Sequence, residues 1–119
     1  MPPLVSRAVG HGTRQALVTR DGPTSYAQLL DASARVAETL LDGRTDLAGA
    51  RVTFLASPGP LWVALQWGIW RAGGIAVPLA TSHPPAELDH VIADADPDRV
   101  VAGPEFADTL RAQVTEVTP

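Results

Sequence analysis

The chain has 119 residues, a hydrophobic fraction of 45% and a formal net charge of −4. This length is typical of one domain, and the apolar content indicates a globular protein rather than a disordered one. The mildly acidic balance argues against a nucleic-acid partner, which requires a basic surface. Cysteine is absent, which excludes disulfides and thiolate metal sites.

All nine basic residues are arginines, so the chain contains no lysine. A Walker-type phosphate loop needs a lysine, and so does Schiff-base chemistry. The N-terminus lacks the apolar run of a signal peptide, and the apolar segment 61–69 is too short to span a bilayer. We therefore expect a cytoplasmic protein without a membrane span.

The first elements in chain order are an arm and a hairpin. Residues 1–14 carry Pro, Gly and Arg without periodicity, which predicts a flexible N-terminal arm. Residues 16–19 are a predicted short strand. The Asp-Gly-Pro turn at 21–23 returns the chain towards a second short strand at Thr24.

A helix follows, from Ser25 to about Leu41. Ser25 is a favourable N-cap, and Gln28 stands three residues later, the spacing of a capping box. Apolar residues recur at helical spacing through this segment. Gly43 is predicted to end the helix.

The next segment is a predicted strand over 51–56, a loop over 57–60 and a helix over 61–72. This helix is apolar nearly all round and includes Trp62, Trp67 and Trp70. Such a helix is buried on more than one face. In a short chain, we expect part of it to stay uncovered, with the tryptophans as core or interface rather than as an aromatic binding wall.

A double glycine then separates this helix from a short strand. Gly73 suits the left-handed C-cap of a helix, and Gly74 permits the reversal. Residues 75–77 are apolar and mostly β-branched, which favours a buried strand. Pro78 ends the sheet hydrogen bonding, because it has no N–H.

The last elements are a helix over 84–95, a strand over 99–102, a helix over 104–114 and a fraying tail over 115–119. Alternation of strands and helices with short loops predicts an α/β fold with a mainly parallel sheet and flanking helices. We expect residues 15–114 to form a single α/β subdomain, an incomplete part of a larger domain.

Several motifs carry a resemblance to a known family: Thr-Ser-Tyr-Ala-Gln-Leu at 24–29, the segment 70–79 that ends Ala-Val-Pro-Leu, and Ser-His-Pro-Pro-Ala-Glu-Leu at 82–88. Further matches lie at 91–97 and 100–101. In this order they resemble the N-terminal region of the adenylate-forming superfamily, the AMP-dependent synthetases and ligases. Gln28 replaces a common glutamate. Residues 73–79 and 82–84 look closer to acyl-CoA synthetases of the malonyl type than to peptide-synthetase domains.

The resemblance implies a parent enzyme that uses ATP, Mg²⁺ and coenzyme A to activate a carboxylic acid through acyl-AMP. It also implies two lysines and a Ser/Thr/Gly-rich phosphate loop, none of which this chain contains. We therefore interpret the chain as a scaffold segment of an AMP-forming acid–thiol ligase that is inactive alone. No residue is assigned a catalytic, cofactor-binding or metal-ligating role.

Two other groups of residues allow both a functional and a simpler structural interpretation. Residues 57–60 lie between a strand and a helix, where anions bind in doubly wound sheets, but two prolines remove N–H donors there. We interpret Ser57 as an ordinary helix cap. A hydrolase triad of Ser57 with His83 or His90 lacks the Gly-x-Ser-x-Gly elbow.

The other candidate is a polar stripe at spacings of four, three and four, formed by His83, Glu87, His90 and Asp94. These side chains suit a divalent metal, and a small metal-dependent enzyme would use them. A solvated helix face gives the same pattern, and we favour that interpretation.

The alternative to a synthetase segment is a stand-alone, non-catalytic α/β interaction module that associates through the Trp-rich helix. Under either hypothesis we expect the isolated chain to self-associate, because that helix and a sheet edge are left uncovered.

Overall fold

The computed structural model describes residues 2–107 and 115–116. Its helices are α1 (Pro3–Val9), α2 (Tyr26–Leu41), α3 (Pro60–Arg71), α4 (Pro85–Ala95) and α5 (Pro104–Ala107). Its strands are β1 (Gln15–Thr19), β2 (Gly22–Ser25), β3 (Arg51–Leu55), β4 (Ile75–Pro78), β5 (Arg99–Ala102) and β6 (Thr115–Glu116).

The central sheet has the strand order β4-β3-β5-β6, and each neighbouring pair is parallel. Thr53 of β3 lies opposite Val77 of β4 and Val100 of β5, which defines the register of the three longer strands. β1 and β2 form a separate antiparallel hairpin. The predicted α/β class with a parallel sheet and flanking helices is therefore confirmed.

Successive residues of β3 face two different helical layers. Phe54 is fully buried in a cluster with residues of α2 and α3, whereas Leu55 is fully buried in a cluster with residues of α4. This alternation follows from the pleat of a strand, which sends neighbouring side chains to opposite faces. The sheet is thus enclosed by α2 and α3 on one face and by α4 on the other.

Helix α2 begins at the predicted capping box. Ser25 Oγ accepts a hydrogen bond from the Gln28 backbone N–H at 3.2 Å, and Gln28 Oε1 accepts one from the Ser25 N–H at 2.8 Å. The helix ends at Leu41, where Asp42 and Gly43 both adopt positive φ. Local sequence therefore determines both ends of α2.

Helices α2 and α3 approach closely at Gly68. A Cβ atom at this position would lie 2.5 Å from Val36 Cγ1 and 3.0 Å from the Ser33 carbonyl oxygen. Near this contact, Arg71 Nη1 donates to the Leu30 carbonyl at 2.9 Å and to the buried Ser33 Oγ at 2.8 Å. A glycine contact and a polar bridge thus fix the two helices together.

The connection from α3 to β4 matches the prediction. Gly73 has a φ of 86°, and its N–H donates to the Trp70 carbonyl at 3.0 Å. The Gly74 N–H donates to the Ile69 carbonyl at 2.9 Å. This positive φ favours glycine, and a side chain here would also displace the Asp46 carboxylate.

The N-terminal segment differs from the predicted flexible arm over residues 1–14. Pro3–Val9 forms α1, in which Val5 is fully buried and Ala8 is only 3% exposed. These two residues pack against α2 and α3. The prediction of a flexible arm was wrong because Val5 and Ala8, three positions apart, lie on the same face of a helix and give this short segment one apolar face.

The C-terminal predictions are met in part. Residues 104–107 are helical as predicted, and the remainder of the predicted helix, 108–114, lies outside the described residues. Within the expected fraying tail, Thr115–Glu116 forms β6 and pairs with β5, so that prediction was wrong for these two residues. The parallel sheet edge supplies hydrogen bonds that the local sequence does not indicate.

Candidate functional site

The sheet changes its direction of winding between β3 and β5. After β3 the chain enters α3 on one face of the sheet, and after β5 it enters α5, whose Phe106 packs in the cluster on the opposite face. In open α/β sheets, ligands bind beyond the carboxyl ends of strands at such a reversal. We call residues 57–60 and 103–105 the switch-point edge.

The β3 side of this edge begins one residue after the strand. Ser57 is exposed and does not cap α3, because the helix starts at Pro60 and its N-cap is Gly59. The prediction that Ser57 caps this helix was therefore wrong. Pro60 fixes the helix start, since proline is favoured in the first turn and has no N–H to offer. No side-chain hydrogen bond caps α3.

The β5 side of the edge contributes a carboxylate. Glu105 Oε1 accepts a hydrogen bond from the Ser57 backbone N–H at 3.4 Å. The preceding Gly103 donates its N–H to the Leu55 carbonyl at 3.0 Å, so the two strands stay paired up to the edge. A Cβ at Gly103 would lie 3.2 Å from Leu61 Cδ2 and 3.4 Å from Glu105 Oε2, so the side chains of both residues pack closely over this position.

The charge and donors of the switch-point edge do not suit a nucleotide phosphate. Pro58 and Pro60 lack N–H groups, and the N–H of Ser57 already faces the Glu105 carboxylate. A carboxylate repels phosphate unless a cation lies between them. The described residues also contain no group of three or more side chains placed to hold a metal ion. The residues of this edge therefore do not fit the ATP and Mg²⁺ that the resemblance implies.

The polar stripe on α4 is arranged as a solvated surface. His90 Nε2 lies 3.4 Å from Asp94 Oδ2, and both side chains are about three-quarters exposed. His83 precedes the helix and is exposed. Within residues 2–107 and 115–116, no hydrogen bond joins Ser57 to either histidine, so the structure does not assemble the alternative hydrolase triad.

The Trp-rich helix is covered by the chain itself. Trp62 packs edge-on against Phe54 with ring centroids 5.3 Å apart, Trp67 is 5% exposed, and Trp70 packs with α1 and α2. The expectation that α3 stays uncovered was wrong, because α1, α2 and the sheet share its surface. Among the described residues, the large apolar side chains that remain exposed lie elsewhere, at Leu4, Val9, Val18 and Ile75.

None of the helices in the described ranges combines the length and apolar character that a bilayer crossing needs.

A match to a known family extends over nearly the whole chain. The model of the AMP-binding enzyme family matches residues 4–119. The chain therefore belongs to the AMP-binding enzymes, the adenylate-forming family whose motifs it resembles. This confirms the family expected from residues 24–29 and 70–79.

Several of the relatives that match are acid–CoA ligases a few times longer than this chain. The chain is 36% identical to the mitochondrial malonate–CoA ligase ACSF3 of Homo sapiens, over 97% of this chain and 21% of that protein. Among solved structures, apo MatB from Rhodopseudomonas palustris superposes with a TM-score of 0.76 at 31% identity, over 98% of this chain and 25% of MatB.

A third match identifies the part of the enzyme. The inhibitor-bound N-terminal domain of FACL13 from Mycobacterium tuberculosis has a TM-score of 0.77 and 26% identity, over 98% of this chain and 32% of that domain. The chain thus spans about a fifth of the curated relative and a third of an N-terminal domain. It corresponds to a partial segment of an adenylate-forming enzyme.

Sequence reasoning missed the pairing of Glu105 with the Ser57 N–H. The two residues are 48 positions apart, and their contact depends on β5 lying next to β3. The one available signal was the Gly-Pro-Glu sequence at 103–105 directly after a strand, which places an acidic residue at the sheet edge.

Proposed function

We propose that the chain is the N-terminal scaffold segment of an ATP-dependent acyl-CoA synthetase. Such an enzyme activates a carboxylic acid as acyl-AMP and then transfers the acyl group to coenzyme A. The family match over residues 4–119 carries this proposal. The superposition on MatB over 98% of the chain supports it.

We propose malonate, a short dicarboxylate, as the acid of the longer enzyme. The support is the 36% identity to a malonate–CoA ligase along nearly the whole chain. The proposal of malonate rests on this similarity, and assays of the longer enzyme with a panel of acids test it.

We also propose that this segment alone binds neither ATP nor coenzyme A. The longer enzyme would use ATP, Mg²⁺ and coenzyme A through residues outside these 119. The chain contains neither of the two lysines that the family resemblance implies, and its switch-point edge presents the Glu105 carboxylate. Its contribution is a folded scaffold: a parallel sheet with helices packed on both faces.

A chimera tests the proposal. Residues 1–119 replace the corresponding segment of MatB, and acid-dependent release of AMP is measured with ATP and coenzyme A. We expect the folded chimera to release AMP with the acid that MatB activates, because the segment supplies scaffold and MatB supplies the residues that contact the acid. A matched chimera with Phe54→Ala, which removes a fully buried side chain, should lose both its cooperative unfolding and its activity.

A chimera that unfolds cooperatively but forms no AMP with any acid would contradict the synthetase assignment. The malonate proposal is tested separately, with the longer enzyme that contains residues 1–119: activity with another acid and none with malonate would overturn only that proposal.

The alternative of a non-catalytic module retains one supporting observation. Self-association through α3 is disfavoured by its coverage, but the outer edge of the parallel sheet at β4 remains open among the described residues. We propose that the isolated chain self-associates at that edge. A cytoplasmic location also stays a proposal, tested by fractionating cells that express the natural gene.

A further inference from the structure

The first residues of the chain lie across the layer formed by α2 and α3. We call residues 3–12, which are α1 and the turn after it, the N-terminal strap. Its helix buries two side chains, Val5 and Ala8, in one cluster with Leu29 of α2 and Trp67 of α3. The strap therefore covers part of this layer through one small apolar contact.

The far end of the strap is held at the start of α2. The Gly12 carbonyl accepts a hydrogen bond from the Ala27 N–H at 2.8 Å, and the centroid of the His11 ring lies 5.7 Å from that of the Tyr26 ring. Ala27 is in the first turn of α2, where N–H groups have no acceptor within the helix. The strap thus supplies an acceptor that α2 itself lacks.

The neighbouring N–H in the first turn of α2 is held by a different element. The Tyr26 N–H donates to the Arg14 carbonyl at 3.1 Å, next to the pair that Gln15 and Ser25 form in the β1–β2 hairpin. The acceptor of the Ala27 N–H belongs to the strap instead. Two adjacent amides therefore report on two different elements, Tyr26 on the hairpin and Ala27 on the strap.

The strap has little stability of its own, whereas the layer beneath it is held by other contacts. Helix α1 has seven residues and no side-chain hydrogen bond at its N-cap, Pro2, and an isolated helix this short is marginal in water. Helices α2 and α3 meet closely at Gly68, and Arg71 donates to the Leu30 carbonyl at 2.9 Å. All of these contacts join residues within 2–71, so they do not depend on the rest of the longer enzyme.

We infer that the N-terminal strap is a cover that opens as a unit while α2 and α3 stay packed. Opening withdraws Val5 and Ala8, uncovers Trp67 and frees the Ala27 N–H. Segments with few buried contacts open at a lower free energy than the core does. The open strap presents its backbone to proteases at the exposed Arg7. The strap therefore controls how readily this end of the chain is cleaved.

Amide hydrogen exchange of the 119-residue chain, followed by NMR and corrected for intrinsic rates, tests this opening. Bond length alone favours stronger protection of Ala27 than of Tyr26, since 2.8 Å is shorter than 3.1 Å. We expect the reverse, with Ala27 exchanging faster than Tyr26 by about tenfold or more. The Ala72 N–H, which donates to the Gly68 carbonyl at 3.0 Å within the core, should exchange most slowly.

A matched pair of variants separates the strap from the layer beneath it. Val5→Asp places a carboxylate where the side chain is fully buried, so the strap should stay open. Exchange at Ala27 and trypsin cleavage after Arg7 should each become faster by about tenfold or more, while Ala72 keeps its wild-type rate. Leu4→Asp is the control, because Leu4 is the adjacent residue and is 54% exposed. It should leave all three rates unchanged.

Wild-type exchange at Ala27 that is no faster than at Tyr26 or at Ala72 would overturn the inference, because the strap would then open only with the whole fold. A Val5→Asp chain that fails to fold, or that exchanges faster at Ala27 and Ala72 alike, would overturn it as well. So would equal effects of Val5→Asp and Leu4→Asp. None of these results bears on the synthetase assignment, which the chimera with MatB tests separately.

Discussion

The two faces of the parallel sheet are closed to different degrees. Under α2 and α3, the side chains of β3 meet a continuous core, and Gly68 lets the two helices touch. Under α4, a smaller cluster covers β3 and β5 but leaves Ile75 of β4 half exposed. The first face is complete within this chain, whereas the second ends at an edge that other protein can cover.

The largest expected effect is the loss of stability when a buried side chain is truncated to alanine, and this loss should differ between the two faces of the sheet. Phe54→Ala should lower the free energy of unfolding by about 3–5 kcal/mol, because the ring is fully buried against Trp62. Ile92→Ala on the α4 face should cost about 2 kcal/mol, at the low end for such a truncation. Urea unfolding followed by circular dichroism measures both. Equal losses would contradict the difference between the faces.

A small-to-large change tests the contact between α2 and α3. Gly68→Ala should destabilise the fold by about 1–3 kcal/mol, since its Cβ would overlap Val36, a β-branched side chain that cannot turn away. Gly10→Ala is the control, because the nearest atom to its Cβ is 3.6 Å away. The second change Val36→Ala should recover part of the loss. A stable Gly68→Ala variant would show that the helices lie further apart.

The capping box of α2 should contribute less. Ser25→Ala removes the oxygen that accepts from the Gln28 N–H and should cost about 1 kcal/mol. Ser6→Ala, at an exposed position in α1, should leave the unfolding midpoint unchanged. If the two variants unfold alike, the capping box does not stabilise α2.

The smallest effect is expected at the open edge of the α4 face. Ile75→Thr should change the stability of the dilute monomer by no more than about 0.5 kcal/mol, because half of the side chain is already in water. Thermal denaturation at low protein concentration measures it. A loss as large as that of Ile92→Ala would mean that Ile75 belongs to the core.

Sequence predicted the elements whose causes are local. Ser25 and Gln28 lie three residues apart, so their reciprocal bonds are visible in the sequence, and Gly73 marks the end of α3 in the same way. The parallel sheet followed from the alternation of strands and helices. The family followed from the order of several short motifs.

The features that sequence reasoning missed depend on distant parts of the chain. Helix α1 is stable because Val5 reaches α2 and α3, and the local sequence alone reads as an arm. The tryptophans of α3 are covered by α1, α2 and the sheet, which come from parts of the sequence before and after α3. Glu105 lies beside Ser57 because β5 is the neighbour of β3 in the sheet, on the side opposite β4.

The central claim is that these residues supply architecture, while the groups that bind and react lie elsewhere in the enzyme. Isothermal titration of the folded 119-residue chain with ATP and Mg²⁺, and then with a non-hydrolysable malonyl-adenylate analogue, tests it most directly. The account predicts no heat beyond that of dilution, from a sample that still unfolds cooperatively. Saturable binding of either ligand at one site per chain would contradict it.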